Sequence, residues 1–336
     1  MTTGRYTLSS LPSSAKAFLL RSYTLENTAE YRGGGSKDLF ALASGPVNAA
    51  VREDRVLWAT DGGEGEDAHG FADPITWDAI HHIRPRVDKT KEEQRRRVRE
   101  KAEVFTPSWL CNLQNNLIDD AVLYEGAFNS TAGPLAKEWT PTLEPVRFSE
   151  DYTWAHYVTE RRLEMTCGEA PYLCSRYDTV SGLPIPVRDG EGRWRRIGLL
   201  DRKLRVVSEN VTEQEDWCVA AMHALRATYG FEWQGDNLLL ARLNFINTYC
   251  DYHEEVWGEP APEAQVAEVA EIVSWNLWQM DGLKMVVPES CSADCPACRE
   301  KKRGGHDGRV ALIRMGEKIT TFEELLPAAQ FFGRKS

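Results

Sequence analysis

The sequence predicts an α/β protein, one large domain preceded by a smaller mixed N-terminal region, and three observations carry that prediction. A chain of 336 residues exceeds a single average domain and can bury a large core. The stretch 161–178 opens with a short apolar run ending at an acid, passes through Thr166-Cys167-Gly168-Glu169-Ala170 and leads into Pro171-Tyr172-Leu173, the pattern of a strand, a tight turn and a helix start. Helix-start signals recur along the chain, at Thr90 with Glu93, at Thr106 with Pro107 and at Thr212 with Glu215.

In chain order, region 1–88 carries the weakest pattern. A helix is expected over 14–23 and a short strand at 56–59, followed by a Gly- and acid-rich loop over 61–70 that is expected to be mobile. Asp73-Pro74 supplies an N-cap and first-turn proline for a helix through Trp77 to His82. Segment 84–101 holds nine basic and four acidic residues, and its Thr90 to Glu93 capping box starts a strongly charged helix. Arg95, Arg96, Arg97 and Arg99 wrap more than one face, which fits a solvated helix or a phosphate-contacting arm. Phe105-Thr106-Pro107 then leads into a helix through Leu110, Leu113, Leu117 and Ile118, with Thr106 as N-cap and Pro107 at the first helical position.

The turn at Gly168 would let backbone approach a ligand closely, and a helix start after it would offer unpaired N–H groups to a carboxylate or phosphate. Leu163-Glu164-Met165-Thr166-Cys167-Gly168-Glu169-Ala170-Pro171-Tyr172-Leu173 resembles the S-adenosylmethionine loop of bacterial DNA adenine-N6 methyltransferases, written Leu-Asp-Pro-Ala-Cys-Gly-Thr-Gly-x-Phe-Leu. Met165 stands where the family has Pro, and Ala170 replaces its second Gly. Two further segments resemble the family in its order. In Tyr229-Gly230-Phe231-Glu232-Trp233 and the following Leu-Ala-Arg-x-Asn helix, Glu232 takes the place of the acid that accepts hydrogen bonds from both ribose hydroxyls. In Asn276-Leu277-Trp278-Gln279-Met280-Asp281-Gly282-Leu283, Asp281 takes the place of the residue that binds the adenine amino group.

The resemblance covers roughly 103–283. It implies a Rossmann-like S-adenosylmethionine-dependent methyltransferase sheet with helices on both faces. It also implies a cofactor site built from Phe105, Thr106, Pro107, Glu164, Thr166, Cys167, Gly168, Glu169, Ala170, Glu232, Trp233, Asp281 and Gly282. The domain division that follows is 1–88, then 89–290 with an insertion at about 179–211, then 291–336. Within the insertion, a turn at Asp189-Gly190-Glu191-Gly192 and the alternating run 193–207 suggest a hairpin. Its Trp194, Arg195, Arg196, Arg202, Lys203 and Arg205 fit either a DNA- or partner-contacting surface or a decorated loop.

A net charge of −11 and a pI near 5.3 argue against a chain that grips nucleic acid alone, because duplex affinity rests on Lys and Arg neutralising phosphates. No secretory leader pattern or membrane-length apolar run occurs, so a cytoplasmic protein without a membrane partner is expected. Cys111, Cys167, Cys174, Cys218 and Cys250 lie among apolar neighbours as reduced thiols. Cys291-x3-Cys295-x2-Cys298-x7-His306 has spacing that suits one structural zinc, the alternative being three reduced surface thiols. The chain then reads as strands at 310–314 and 318–322 and a short helix to Phe331.

The catalytic Asn-Pro-Pro-Tyr tetrapeptide of the amino-methyltransferases occurs nowhere in the sequence, so no catalytic residue is assigned. The first expectation is therefore the S-adenosylmethionine-binding subunit of a split DNA adenine-N6 methyltransferase of a restriction–modification or phage-defence system. A second subunit would supply Asn-Pro-Pro-Tyr and target recognition, and DNA would be met mainly through the complex. The alternatives are a catalytically silent binding or assembly relative and a methyltransferase of another substrate.

Overall fold

In the computed structural model, residues 5–26, 51–60, 69–131, 137–291, 294–316 and 318–326 are described. The expected mobile loop falls largely on 61–68, and the end of the expected C-terminal helix on 327–331; both lie outside the described residues.

Helix α1 (Ser13–Leu19) buries Ala15 and Leu19 and stops well before Tyr23, the expected end. The next residues form strand β1 (Arg21–Glu26) because their alternation buries Leu25 and stacks Tyr23 on Trp275 at 3.6 Å between ring centroids. Strand β2 (Val51–Arg55) pairs antiparallel with β1 and precedes the expected strand at 56–59, where Leu57 makes only an isolated bridge to Pro74. That bridge holds Pro74 extended, so the expected helix after Asp73 shrinks to a 3-10 turn at Ala79–His82. Helix α2 (Lys91–Lys101) has the expected capping box: Glu93 N–H donates to Thr90 Oγ1 at 3.2 Å and Thr90 N–H to Glu93 Oε2 at 2.6 Å.

Helix α3 (Ser108–Asp120) starts one residue later than expected, with the Asp178 carboxylate, not Thr106, accepting the Ser108 N–H at 2.6 Å. Its faces are inverted. Asn112, Asn115, Asn116 and Asp119 are buried, while Leu117 is 69 % and Ile118 is 41 % exposed. A small hairpin of β3 (Asn129–Thr131) and β4 (Trp139–Pro141) leads to α4 (Trp154–Thr159).

Strand β5 (Arg162–Met165) then begins a parallel sheet completed by β6 (Thr228–Glu232) and β7 (Leu277–Gln279), in the order β5-β6-β7. The β5 to β6 crossover runs through α5 (Leu199–Asn210) and α6 (Gln214–Arg226), and the β6 to β7 crossover through α7 (Gly235–Trp257) and α8 (Glu263–Asn276). The expected hairpin forms only at its start, where Arg188 and Trp194 bridge antiparallel around the 189–192 turn and Arg195 N–H donates to Val187 O at 2.8 Å; from Leu199 on the run is helix. Arg196, Arg202, Lys203 and Arg205 lie inside, with Arg202 1 % and Lys203 0 % exposed, so these four are no DNA-contacting surface, while Arg193 and Arg195 are half-buried.

After a one-turn α9 (Pro296–Arg299), strands β8 (Arg309–Met315) and β9 (Lys318–Thr321) and a short α10 (Phe322–Leu325) finish the described chain. They join β1 and β2 in an antiparallel sheet of order β2-β1-β8-β9, so the two ends of the chain share one sheet. The protein is therefore mixed α/β, with one parallel sheet among several. Helices were expected on both faces of the parallel sheet. One face is instead packed through Tyr229, Phe231 and Trp278 against Ala311 and Ile313 of β8 and Phe322. Buried Arg242 on α7 ties this body together by donating only to carbonyls, those of Leu19, Arg21, Ser274 and Leu277.

Candidate functional site

The three family-like segments converge at the carboxyl end of the parallel sheet. Thr166, Gly168 and Ala170 all adopt left-handed backbone, with φ of 55°, 55° and 65°. For a β-branched residue such as Thr166 this conformation is strained, a state that persists only where its surroundings impose it. Cys167 N–H donates to Phe231 O at 2.8 Å, and Gly168 N–H donates to Glu232 Oε2 at 2.8 Å. Glu232 Oε1 takes Gln234 N–H at 2.9 Å, so each carboxylate oxygen accepts a main-chain N–H. A Cβ on Gly168 would come within 3.4 Å of the Phe105 ring, and one on Gly282 within 3.3 Å of the Phe231 ring and 4.0 Å of Thr166 Cγ2.

Each remaining candidate has a definite place. Asp281 Oδ1 accepts Leu283 N–H at 2.7 Å and Lys284 N–H at 2.8 Å, which closes the turn beside the loop. Trp233 O accepts Gln279 Nε2 at 2.8 Å, and Thr106 O accepts Thr179 Oγ1 at 3.0 Å just ahead of Pro107, which caps α3. Glu169 turns inward instead of lining the loop: its buried carboxylate accepts Arg86 N–H at 2.7 Å and the Tyr177 hydroxyl.

The helix expected at Pro171 is absent. Residues 171–173 form a turn whose Tyr172 and Leu173 carbonyls accept Leu199 and Leu200 N–H at 2.8 and 2.9 Å, so the first N–H groups of α5 are spent on protein. Gly198 permits this docking, because a Cβ there would lie 2.4 Å from Leu173 O.

The site is rich in unneutralised carboxyl groups. Burial first, then the Asp236 charge, raises the Glu232 pKa against the opposing N–H groups of Gln234, Gly168 and Trp233. Burial also pushes Glu164 well above its ordinary value, with repulsion from Glu232 adding to it, and its Oε2 is buried without a hydrogen-bond partner. Burial and the Glu164 and Glu232 charges push the Cys167 thiol well above its ordinary value, so it stays protonated and serves as a small core residue.

The sequence reading missed the ion triad beneath the loop. Arg97, assigned to a surface helix, is buried and pairs with Glu103 and, at 2.8 Å, with Asp236 at the start of α7. The signal available was an acid directly after Gly235, at a strand-to-helix junction. Gln279, buried on β7, was also missed; it clamps both backbone groups of Leu57, at 2.8 and 2.7 Å. Arg95, Arg96 and Arg99 remain exposed on α2.

Comparisons of the chain with protein-family models, with curated proteins and with solved structures gave no match to any of them. Among the described residues no helix is long and apolar enough to cross a membrane.

A second centre lies some distance along the chain. Cys291, Cys295, Cys298 and His306 bring four ligand atoms within 4.8 Å of one another, and this group could hold a metal such as zinc. Burial and the neighbouring thiols push Cys291 up to about 12. At Cys295 burial acts upward but is outweighed by main-chain N–H groups of Asp307 and Cys298, which help draw it down to about 6.

Proposed function

We propose that the chain is the S-adenosylmethionine-binding subunit of a split DNA adenine-N6 methyltransferase, of the kind found in restriction–modification or phage-defence systems, on a Rossmann-like methyltransferase sheet. The observation that carries this reading is the bond from Gly168 N–H to the Glu232 carboxylate. It joins a glycine turn with left-handed backbone after one parallel strand to an acid at the end of the next, at the carboxyl ends of the strands, where open α/β folds take nucleosides. Three features support the cofactor reading. The Glu232 carboxyl at the strand end is an acceptor of the type ribose hydroxyls need, Gly168 presents no side chain on the loop, where a Cβ would lie 3.4 Å from the Phe105 ring, and the Asp281-Gly282 turn abuts the same loop.

In this reading Glu232 orients the ribose, Asp281 faces the adenine amino group, and Phe105 with Thr106 and Pro107 closes over the methionine end. The cofactor, when bound, supplies the methyl group. A second polypeptide supplies the Asn-Pro-Pro-Tyr head, which holds the target amino group, and the recognition domain. Two features favour such a partner. Among the described residues β5 pairs on one side only, and its Leu163 and Met165 are 40 % and 65 % exposed. The acidic chain also needs basic surface from elsewhere to hold DNA.

The test is calorimetric titration of the isolated chain with S-adenosylmethionine. Glu232→Ala should weaken binding by about 1–3 kcal/mol, because two hydroxyls lose a charged acceptor. Tritiated methyl transfer to DNA should then appear only with a co-encoded partner and vanish with Gly168→Asp. Wild-type affinity in Glu232→Ala would refute the site. Transfer by this chain alone would refute the split, and binding without transfer in any pairing would leave the silent relative as the answer.

A further inference from the structure

We propose that Cys291, Cys295, Cys298 and His306 hold one zinc ion in a closed structural site, and that this ion clasps the Asp281 turn in place. The inference rests on the ligand geometry and stands independently of methyl transfer.

Tetrahedral coordination with Zn–S of about 2.3 Å and Zn–N of about 2.0–2.1 Å requires edges of about 3.8 Å between sulfurs and about 3.6 Å between sulfur and nitrogen. The Cys291 and Cys298 sulfurs are 3.5 Å apart, and His306 Nδ1 lies 3.6, 3.6 and 3.2 Å from the sulfurs of Cys291, Cys295 and Cys298. The Cys291 and Cys298 sulfurs stand far beyond the length of a disulfide bond, about 2.05 Å. The histidine tautomer is fixed by its other nitrogen. Nε2 lies 2.8 Å from Lys302 O, and because a carbonyl can only accept, Nε2 carries the proton and Nδ1 turns its lone pair toward the three sulfurs. Asp307 N–H donates to Cys295 Sγ at 3.3 Å, as an outer-shell donor to a coordinated thiolate would.

Soft thiolates with one imidazole select zinc over calcium or magnesium, and four protein ligands leave no open position for a reacting water. The site is therefore structural. The chain is shaped to form it: Lys301, Gly304 and Gly305 take left-handed backbone at φ of 51°, 65° and 63°, folding the segment back so that His306 meets the cysteines. Gly308, at φ 128°, passes so close to Ser290 that a Cβ would lie 2.4 Å from its carbonyl oxygen.

The same fold-back reaches the neighbouring turn. Gly304, between the third and fourth ligands, donates its N–H to Leu283 O at 3.1 Å, and Leu283 N–H in turn donates to Asp281 Oδ1. Fixing Cys298 and His306 on one ion thus fixes the strap that holds the Asp281 turn.

The experiment is metal analysis of the full chain purified under reductant without chelator, followed by hydrogen exchange before and after zinc removal. The expected result is one zinc per chain, replaceable by cobalt with a thiolate-to-cobalt charge-transfer band and tetrahedral d–d bands, and lost in His306→Ala and in Cys298→Ser. Removal should abolish amide protection across 281–286 while protection of β5 and β6 persists, and added zinc alone should restore it. Protein without stoichiometric zinc that also gives no tetrahedral cobalt spectrum would overturn the site. Zinc-bearing protein whose 281–286 exchange is indifferent to metal, or whose β5 and β6 protection collapses with it, would overturn the local clasp.

Discussion

Arg202→Met tests most directly whether the basic residues of 193–207 serve the interior. The Arg202 guanidinium donates to Asp119 Oδ2 at 2.6 Å, to Asn112 Oδ1 at 2.9 Å and to Asn116 Oδ1 at 2.6 Å, and both Arg202 and Asp119 side chains are 1 % exposed. Removing one partner of a buried pair costs about 3–5 kcal/mol, because the other charge is left without compensation. Asp119 would keep the Tyr157 hydroxyl at 3.1 Å and a long contact to Arg162 at 3.5 Å, which places the loss near the lower end, about 3 kcal/mol. A domain's total stability is about 5–15 kcal/mol, so the shift should be plain in urea midpoints at constant slope. Adding Asp119→Asn to Arg202→Met should recover more than about 1 kcal/mol by removing the stranded charge while leaving an acceptor for Tyr157. A loss below about 1 kcal/mol for Arg202→Met, the range of exposed pairs, would show that the guanidinium is solvated and the argument wrong.

Lys203 gives a pH signature. Its Nζ donates to Glu160 O at 2.5 Å and Ala227 O at 3.1 Å, and burial lowers its pKa to about 7. Between about 7 and the unfolded lysine value of about 10.4 the unfolded chain binds more protons than the folded one, so stability rises with pH across that window. Urea midpoints should climb from pH 7 to 10 in wild type and less steeply in Lys203→Met; parallel slopes would count against a neutral buried amine. At the other end of the scale, Thr90→Ala removes the acceptor of Glu93 N–H and should lower stability by about 1 kcal/mol, read by thermal denaturation, whereas Thr90→Gly should lose only a few tenths.

Local chemistry was legible in the sequence and long-range pairing was not. The α2 capping box needs only four consecutive residues, and the strand ending at Glu232 is an apolar run closed by an acid and a Gly235 breaker. The cysteine and histidine spacing likewise carries its own geometry. In contrast, Leu110, Leu113, Leu117 and Ile118 mark a helix face by period, and the period says nothing of which face is buried. On α3 the polar face wins because Asn112, Asn116 and Asp119 are the acceptors for Arg202, more than eighty residues away. The alternation over 193–207 misled for a related reason. Lys203 and Arg205 look solvated until the carbonyls of Glu160, Ala227, Phe128 and Glu144 are known to await them.

The inversion of α3 bears on the proposed partner. Arg162, the first residue of β5, reaches Asp119 at the end of α3 at 3.5 Å, and Tyr172 after the loop bonds Gln114 on the same helix. Helix and strand therefore flank the same side of the parallel sheet, and each turns apolar groups outward there: Leu117 and Ile118 from α3, Leu163 and Met165 from β5. Free strand edges are ordinarily blunted by charge, proline or a covering element; β5 carries the charges Arg162 and Glu164 but still leaves Leu163 and Met165 exposed beside an edge unpaired among the described residues. In the strand order 3-2-1-4 of doubly wound sheets, a glycine loop follows the strand that is next paired, on its far side, by the strand opening the second half. If the proposed methyltransferase reading holds, β7-β6-β5 would be the first three strands, the β5 edge left unpaired among the described residues would lie where that fourth strand pairs, and Asn-Pro-Pro-Tyr would stand at the end of such a strand. Under the split reading, the exposed apolar edge and the absent tetrapeptide are one vacancy, seen once in the fold and once in the sequence.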